Sequence, residues 1–323
     1  MSLTNKNNLS LPLAVLIAHN TYDGSNDPKT LSATELLNPV RSIIIGLQHA
    51  DEEKDVDLIN LVASSMGTAL HDRAESGWLN RSTLERAMRT LNIPEDVIKR
   101  VVVNPPHVIG TMIPIYVERR SSRQLMGWTI RGKFDTCIDG QLSDYKSCSV
   151  WKTILDRDDG KDWKLQGSIY KWLNEDIITG NKVSIELIYT DWSSSSARQD
   201  SSYPQQRVES KEYALMGVNE TEHWIKNKIQ QIEAGLKVKQ SDMIRCDEKE
   251  LWATDDVWKY YKKLGAKRAT KNYTVKSEAY NRLSTDGGEV KHFPGEIKRC
   301  NYCNAVEVCE QAQEYIQSGR LKV

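Results

Sequence analysis

The chain is 323 residues long and 39% hydrophobic, and it carries 44 lysines and arginines against 44 aspartates and glutamates. That length and apolar content suit a packed globular protein, either one large domain with an appendage or two ordinary domains. A formal charge of zero excludes a global field that would draw the whole chain to nucleic acid, so any basic surface has to be local.

In chain order, the polar MSLTNKNN reads as a frayed end. The apolar run Leu11 to Ala18 is far short of the ~20 residues that span a bilayer. It lacks the basic flank and small-residue cleavage site of an export signal, so a cytoplasmic protein without membrane association is expected. Thr21 to Lys29 has loop composition, and Ser32, three residues before Glu35, has the spacing of a capping box that starts a helix. Helices are expected over Asp55 to Trp78 and Arg81 to Leu91, the latter stopped near Pro94. Strands follow in "IPIYVERR", "LMGWTIRGKFDTCI" and "QLSDYKSC", which are rich in β-branched and aromatic residues. Then come a helix from Trp163 to Glu175, a strand "KVSIELIYT", a serine loop Ser193 to Ser196, and a charged amphipathic helix from Glu209 to Glu233. From Ser241 the composition shifts toward Cys, Lys and Trp, which divides residues 1–240 from 241–323. This order predicts an α/β core with a mixed sheet built around a central hairpin.

The hairpin carries the chemistry. Asp139-Gly140 suits a type I′ turn, which needs positive φ at both positions, and that fixes the register. Counting back from Ile138 opposite Gln141 places Asp135 opposite Asp144, with Cβ atoms roughly 4.5 to 5.5 Å apart. Two carboxylates at that distance repel unless a cation lies between them. Lys146 shares the face of Asp144 by the two-residue period of a strand. The pattern points to a hard divalent ion, Mg²⁺ or Mn²⁺, on oxygen ligands with a lysine beside it, a combination suited to phosphodiester hydrolysis. The alternative is an exposed hairpin whose acids and lysine are merely solvated. Two helical pairs bear on the choice: His71 with Glu75, and Gln166 with Tyr170, each spaced to share one helix face. Alone, each pair fits an ordinary amphipathic helix. Glu118, on the strand before the hairpin in "VERRSSR", reads as a surface residue; the alternative is that it is drawn into the site.

Taken in order, Gly67-x3-His71-x3-Glu75, Gly132-x2-Asp135, Asp144-x-Lys146 and Gln166-x3-Tyr170 resemble the motifs of the PD-(D/E)XK nuclease superfamily. The likeness is to its RecB-like exonuclease branch, which has phage-encoded members, and it runs from about Ser32 onward. It implies a restriction-endonuclease-like core, a central mixed β-sheet flanked by helices, with N-terminal helices before it. It further implies that His71, Asp135, Asp144 and the carbonyl of Tyr145 ligate Mg²⁺ or Mn²⁺. Lys146 would be the catalytic lysine, and Gln166 with Tyr170 would position the lysine and the DNA strand. The implied activity is a metal-dependent DNA exonuclease acting on linear ends, in phage-type recombination, repair or DNA degradation. The alternative is a catalytically silent subunit of a recombination or replication complex that binds nucleic acid or docks a partner protein. Strand preference, polarity and homo-oligomerisation are left open.

Of the six cysteines, Cys300, Cys303 and Cys309 form C-x2-C-x5-C, with Cys246 upstream. Four thiolates suit either tetrahedral Zn²⁺ or a 4Fe-4S cluster. The triplet resembles the iron-sulfur staple of several RecB-like nucleases, so a cluster subdomain is expected over 241–323. In many such relatives the first cysteine precedes the histidine motif; here that stretch reads "LLNPVRS", with Asn38 and no cysteine, and Cys246 would take its place. Cys137 and Cys148 read as small buried hydrophobes flanking the metal site. Finally, the basic and aromatic stretch Trp258 to Lys276 reads as a hairpin. Lys262, Lys263, Lys267 and Arg268 would meet phosphates while Tyr260 and Tyr261 stack on unpaired bases; the alternative is a solvated hairpin with core-facing aromatics.

Overall fold

The computed structural model describes residues 2–19, 27–50, 52, 55–154 and 159–322; the expected Thr21–Lys29 loop lies outside them up to residue 26. By its internal packing the chain forms two units, residues 1–37 with 51–227, and residues 38–50 with 228–323. The second unit thus begins ahead of the composition shift at Ser241 and recruits a short segment from near the N-terminus. Among the described residues no helix is long and apolar enough to cross a membrane.

The first unit opens with β1 (Ser2–Thr4), α1 (Leu11–Ala18), β2 (Thr30–Ser32) and α2 (Ala33–Leu36); α3 (Val40–Gln48) belongs to the second unit, and β3 (Asp55–Asp57) follows. The N-terminus is not frayed, because β1 pairs in parallel with β3. Asp57 secures that pairing by accepting from Thr4 Oγ1, the Lys6 amide and Asn7 Nδ2. The capping box forms as its spacing predicts, with Ser32 Oγ accepting from the Glu35 amide at 3.1 Å and the Glu35 carboxylate accepting from the Ser32 amide at 2.7 Å. Such a cap contributes about 1 kcal/mol. It starts only a single turn, since Pro39 disfavours helical geometry at Asn38 before α3 begins.

The helix expected from Asp55 begins instead at α4 (Val62–Leu79). Its first residues are taken by β3 and by a 3-10 turn, Leu58–Leu61, capped by Asp57. Then α5 (Arg81–Thr90) is capped by Asn80, and α6 (Glu95–Arg100) starts directly after Pro94. A seven-stranded mixed sheet forms the centre of the unit. Its members are β2, β4 (Val101–Val103), β5 (Ile113–Leu125), β6 (Trp128–Ile138), β7 (Gln141–Cys148), β8 (Lys182–Tyr189) and β9 (Val208–Ala214), in the order β4-β5-β6-β7-β8-β9, with β2 also pairing with β6. The β5–β6, β6–β7 and β8–β9 pairs are antiparallel, while β4–β5, β7–β8 and β2–β6 are parallel. Helices flank this sheet, as the mixed α/β class predicts.

Two sequence expectations fail here for identifiable reasons. The run from Leu125 to Ile138 is not one strand: Met126 and Gly127 both adopt positive φ, 53° and 77°, and fold β5 back onto β6. The charged segment from Glu209 is not helical at its start, because β9 is the edge strand on β8, with Lys182 paired to Glu212 across the ladder. Charged side chains on an edge strand are a usual defence against further pairing. Between the sheet strands lie α7 (Val150–Ile154), α8 (Lys161–Leu173) and α9 (Ser194–Gln199); α9 forms inside the expected serine loop because Ser193 caps it. After β9, α10 (Val218–Gly235) runs from the first unit into the second.

Helix α8 packs on β6 and buries Trp163, Leu165, Gln166, Ile169, Tyr170 and Trp172. Each fully buried Ile or Leu of this kind contributes about 1.5 to 3 kcal/mol. Gly132 permits the crossing. A Cβ there would sit 2.8 Å from Leu173 Cδ1 and 3.0 Å from the Tyr170 ring.

In the second unit, β10 (Val257–Tyr261) pairs antiparallel with β11 (Lys271–Tyr273) on one side and with β12 (Glu289–Phe293) on the other. Helix α11 (Lys276–Asp286) packs its Ala279 against Tyr260 and Tyr273. A separate core around α12 (Glu310–Gln317) joins Leu251, Ile297, Ala312 and Leu321 to Cys246, Cys300 and Cys309.

Candidate metal centre

The hairpin turn forms as expected, with Asp139 and Gly140 at φ 48° and 85°. The ladder pairs Ile138 with Gln141, Cys137 with Leu142 and Thr136 with Ser143, so Asp135 and Asp144 occupy the next step. There the strands are tied by the Tyr145 amide, which donates to Asp135 Oδ2 at 2.7 Å. Both carboxylates are buried, Asp144 at 3% exposure. Asp144 Oδ2 lies 2.5 Å from the Lys146 ammonium yet receives no well-aligned hydrogen bond, leaving an acceptor direction free inside the protein.

Helix α4 brings His71 to this step. Its Nδ1 is 3.3 Å from Asp135 Oδ1 and 3.7 Å from Glu118 Oε1, and one donor atom from each of His71, Glu118 and Asp135 falls within 4.8 Å of the others. Glu118 corrects the surface reading, since its side chain is only 8% exposed. On β5 it stands where the β5–β6 ladder skips a step: Val117 pairs with Thr136 and Arg119 with Phe134, while Glu118 adopts a positive φ of 50° opposite Asp135. That backbone conformation is costly for a residue with a Cβ and is held by the strands around it. The strained position turns the carboxylate toward His71 rather than into the ladder. Glu75, one helical turn beyond His71, is half-buried and is not in this group.

The charges are balanced pairwise. Hydrogen bonds to Asp135 and Glu118 push the His71 imidazole up to about 10, so in the protein without an ion its own positive charge sits among the carboxylates. Burial opposes ionisation of Glu118, but His71 and Lys133 outweigh it and hold the carboxyl below its ordinary value. Burial pushes Asp144 up, with Lys146 pulling the other way. Lys146 is itself raised, because Asp144 and Asp135 outweigh the cost of its burial.

Gln166 and Tyr170 are brought close to the centre but do not face solvent. Gln166 Nε2 donates to the Tyr170 hydroxyl at 2.8 Å, both side chains are buried, and burial raises the phenol well above its usual range. Gly67 has open space around it, so nothing steric requires the first letter of the histidine motif. Cys137 is fully buried, its thiol pushed up to about 12 by burial, whereas Cys148 is half-buried.

The Tyr145 hydroxyl accepts from Trp78 Nε1 at 3.1 Å, and its ring meets His71 edge-on with centroids 6.5 Å apart. Beside them lies a groove of about 880 Å³ that also touches Thr136, Ser143, Glu186, Gln205 and Glu209. Its lining contains no lysine or arginine. Glu186 accepts from Ser184 and Ser210, and Glu209 from the Tyr189 hydroxyl.

In the second unit Cys246, Cys300, Cys303 and Cys309 line one cleft together with Arg41 and Ser42. Burial pushes Cys246 up to about 12 and Cys300 up to about 11. No three of these sulfurs come within 4.8 Å of one another among the described residues. The basic loop joining β10 to β11 exposes Lys262, Lys263, Lys267 and Arg268. Tyr260 and Tyr261, expected to stack on bases, are instead 1% and 7% exposed. Tyr260 packs with Tyr273 and Ala279 of α11, whereas Tyr261, next along the strand and so on its opposite face, lies under the Lys291 ammonium.

No family model and no curated protein matches the chain. Two crystal structures are similar over part of it. The protein SSO0001 shares 16% identity over 68% of this chain and 83% of its own, with a TM-score of 0.36; a candidate exonuclease from Eubacterium rectale shares 12% over 71% and 94%, with a TM-score of 0.37.

Proposed function

We propose that the chain is a Mg²⁺- or Mn²⁺-dependent deoxyribonuclease that hydrolyses phosphodiesters at linear DNA ends, in recombination, repair or DNA degradation. The observation that carries this reading is the convergence of His71, Glu118 and Asp135 on one point beside the buried Asp144–Lys146 pair. The donor set fits a hard divalent ion: one imidazole, carboxylate oxygens and an Asp144 oxygen with a free acceptor direction. His71, Asp135, Asp144 and the Tyr145 carbonyl would hold the ion, and the position of Glu118 adds it to that set. When bound, such an ion supplies Lewis acidity toward a phosphoryl oxygen and acidifies water. Lys146 orients the attacking water and offsets the negative charge that builds on the phosphate. Gln166 and Tyr170 hold α8 against the hairpin so that Asp144 and Lys146 keep their geometry. The groove beside Tyr145, having no cationic lining, suits the sugar and base of a strand better than its phosphates.

For the second unit the reading is a cysteine-ligated 4Fe-4S cluster. Four thiols and no carboxylate face the cleft. DNA contacts are assigned to Lys262, Lys263, Lys267 and Arg268, which are exposed as phosphate contacts require.

The test is nucleotide release from end-labelled linear DNA, beside a circular control, with and without Mg²⁺ or Mn²⁺, for the wild type and Asp144→Asn. Metal-dependent loss of the linear form alone, abolished by the substitution, is expected. A wild type that binds DNA and keeps its iron but cuts nothing would move the reading to a silent binding subunit.

A further inference from the structure

Arg41 is a buried cation without a carboxylate partner. It lies in the first turn of α3 at 2% exposure, its Nε 3.4 Å from Cys309 Sγ, and its other nitrogens donate to the Gln240 carbonyl at 2.9 Å and Gln240 Oε1 at 3.4 Å. Among the described residues no carboxylate forms an ion pair with it. Glu314 is close enough to feel its charge but is exposed and bound to Arg245. A guanidinium does not give up its proton in a protein, and an unbalanced buried charge costs several kcal/mol. An anion is therefore needed where its Nε points. The next residue repeats the pattern, with Ser42 Oγ 3.2 Å from Cys303 Sγ. Two consecutive residues thus offer a charged and a neutral donor to two different cysteines of the cleft, and both belong to the same unit as those cysteines.

We propose that Arg41 and Ser42 are the counter-charge and the hydrogen-bond donor of a metal–thiolate centre held by Cys246, Cys300, Cys303 and Cys309, and that they set its reduction potential. The inference rests on the cluster reading above. A cation and an O–H donor directed at ligand sulfurs stabilise the more negative, reduced state, so together they raise the potential. An arginine placed only for packing would leave it unchanged.

The experiment is a spectroscopic redox titration, with a low-potential chemical reductant, of the full chain loaded anaerobically with iron and sulfide, alongside iron and sulfide counts. Wild type, Arg41→Gln, Arg41→Lys and Ser42→Ala are compared. For Arg41→Gln the reduced-to-oxidised ratio at the wild-type midpoint falls about tenfold, which is a midpoint about 59 mV lower for one electron. Ser42→Ala shifts the same way by less, and Arg41→Lys, which keeps the charge, stays closer to wild type. Loaded variants with unchanged midpoints overturn the inference while leaving the cluster reading intact. If Arg41→Gln does not fold, Ser42→Ala and Arg41→Lys decide by the same criterion. If the wild type takes up zinc and no iron, the cluster reading falls and the inference falls with it, because Zn²⁺ has no reduction potential to set. A wild type that takes up neither metal overturns both.

Discussion

The two donor groups of this protein are assembled in opposite ways. Around the hairpin, Asp135 and Asp144 are fixed by strand register, Glu118 by the neighbouring strand and His71 by α4, and each acid already has a cation beside it. In the second unit, the thiols come from a loop before β10 and from the chain leading into α12, and burial favours the neutral thiol at Cys246 and Cys300. A centre built on a sheet ladder keeps its geometry whether or not an ion is bound. A centre closed by loop cysteines gains part of its folding energy from the metal. On the proposed function, the first is a preformed active site and the second a metal-dependent clasp.

That contrast can be broken most decisively at Lys146. Lys146→Ala is expected to lower DNA hydrolysis by about 10²- to 10³-fold, the scale of losing one preorganised electrostatic group, with the iron content unchanged. Near-normal activity would show that the hairpin is not the catalytic centre. Next in size, Cys300→Ser should strip most of the iron and remove hydrogen-exchange protection from 38–50 and 228–322 while leaving protection in β5 to β8 intact; equal loss in both regions would mean the two centres are not independent. Third, replacing Lys262, Lys263, Lys267 and Arg268 together by Ala should weaken DNA binding and reduce the salt slope of log K by about 3 to 4, without touching hydrolysis of a short saturating substrate. An unchanged slope removes the basic loop from the interface. Gly132→Ala sharpens the first half of the comparison: the added methyl meets Leu173 and Tyr170, and a loss of about 1 to 3 kcal/mol is expected in chemical denaturation. The smallest effect is Tyr170→Phe, which removes the partner of Gln166 Nε2 and should cost about 1 kcal/mol. A much larger loss of activity than of stability there would mean that the hydroxyl touches the reacting groups.

Much of the candidate site was legible because it is local. Asp139-Gly140 prescribes the turn, and the two-residue strand period then places Asp135, Asp144 and Lys146 without any knowledge of the rest of the molecule. The i, i+4 spacing put Gln166 and Tyr170 on one face of α8, where they bond each other. Errors arose where neighbours in space outweigh local preference. Glu118 looked like a surface residue in "VERRSSR" until β6 and α4 enclosed it, and Glu209 looked helical until β8 paired with it. Tyr260 and Tyr261 looked available for stacking because nothing in "VWKYYKK" says that α11 will cover Tyr260 or that Tyr261 will be buried on the opposite face.

By itself the sequence determined the class of fold, the hairpin register and the residue types that could ligate a metal, because turn chemistry and strand periodicity act over a few residues. Only the tertiary structure decided that Glu118 joins His71 and Asp135, and that Arg41 and Ser42, far along the chain from every cysteine, point their donors at Cys309 and Cys303. Those placements depend on which strands and helices come to lie side by side, and burial then turns an ordinary charged side chain into one that must find its counter-charge.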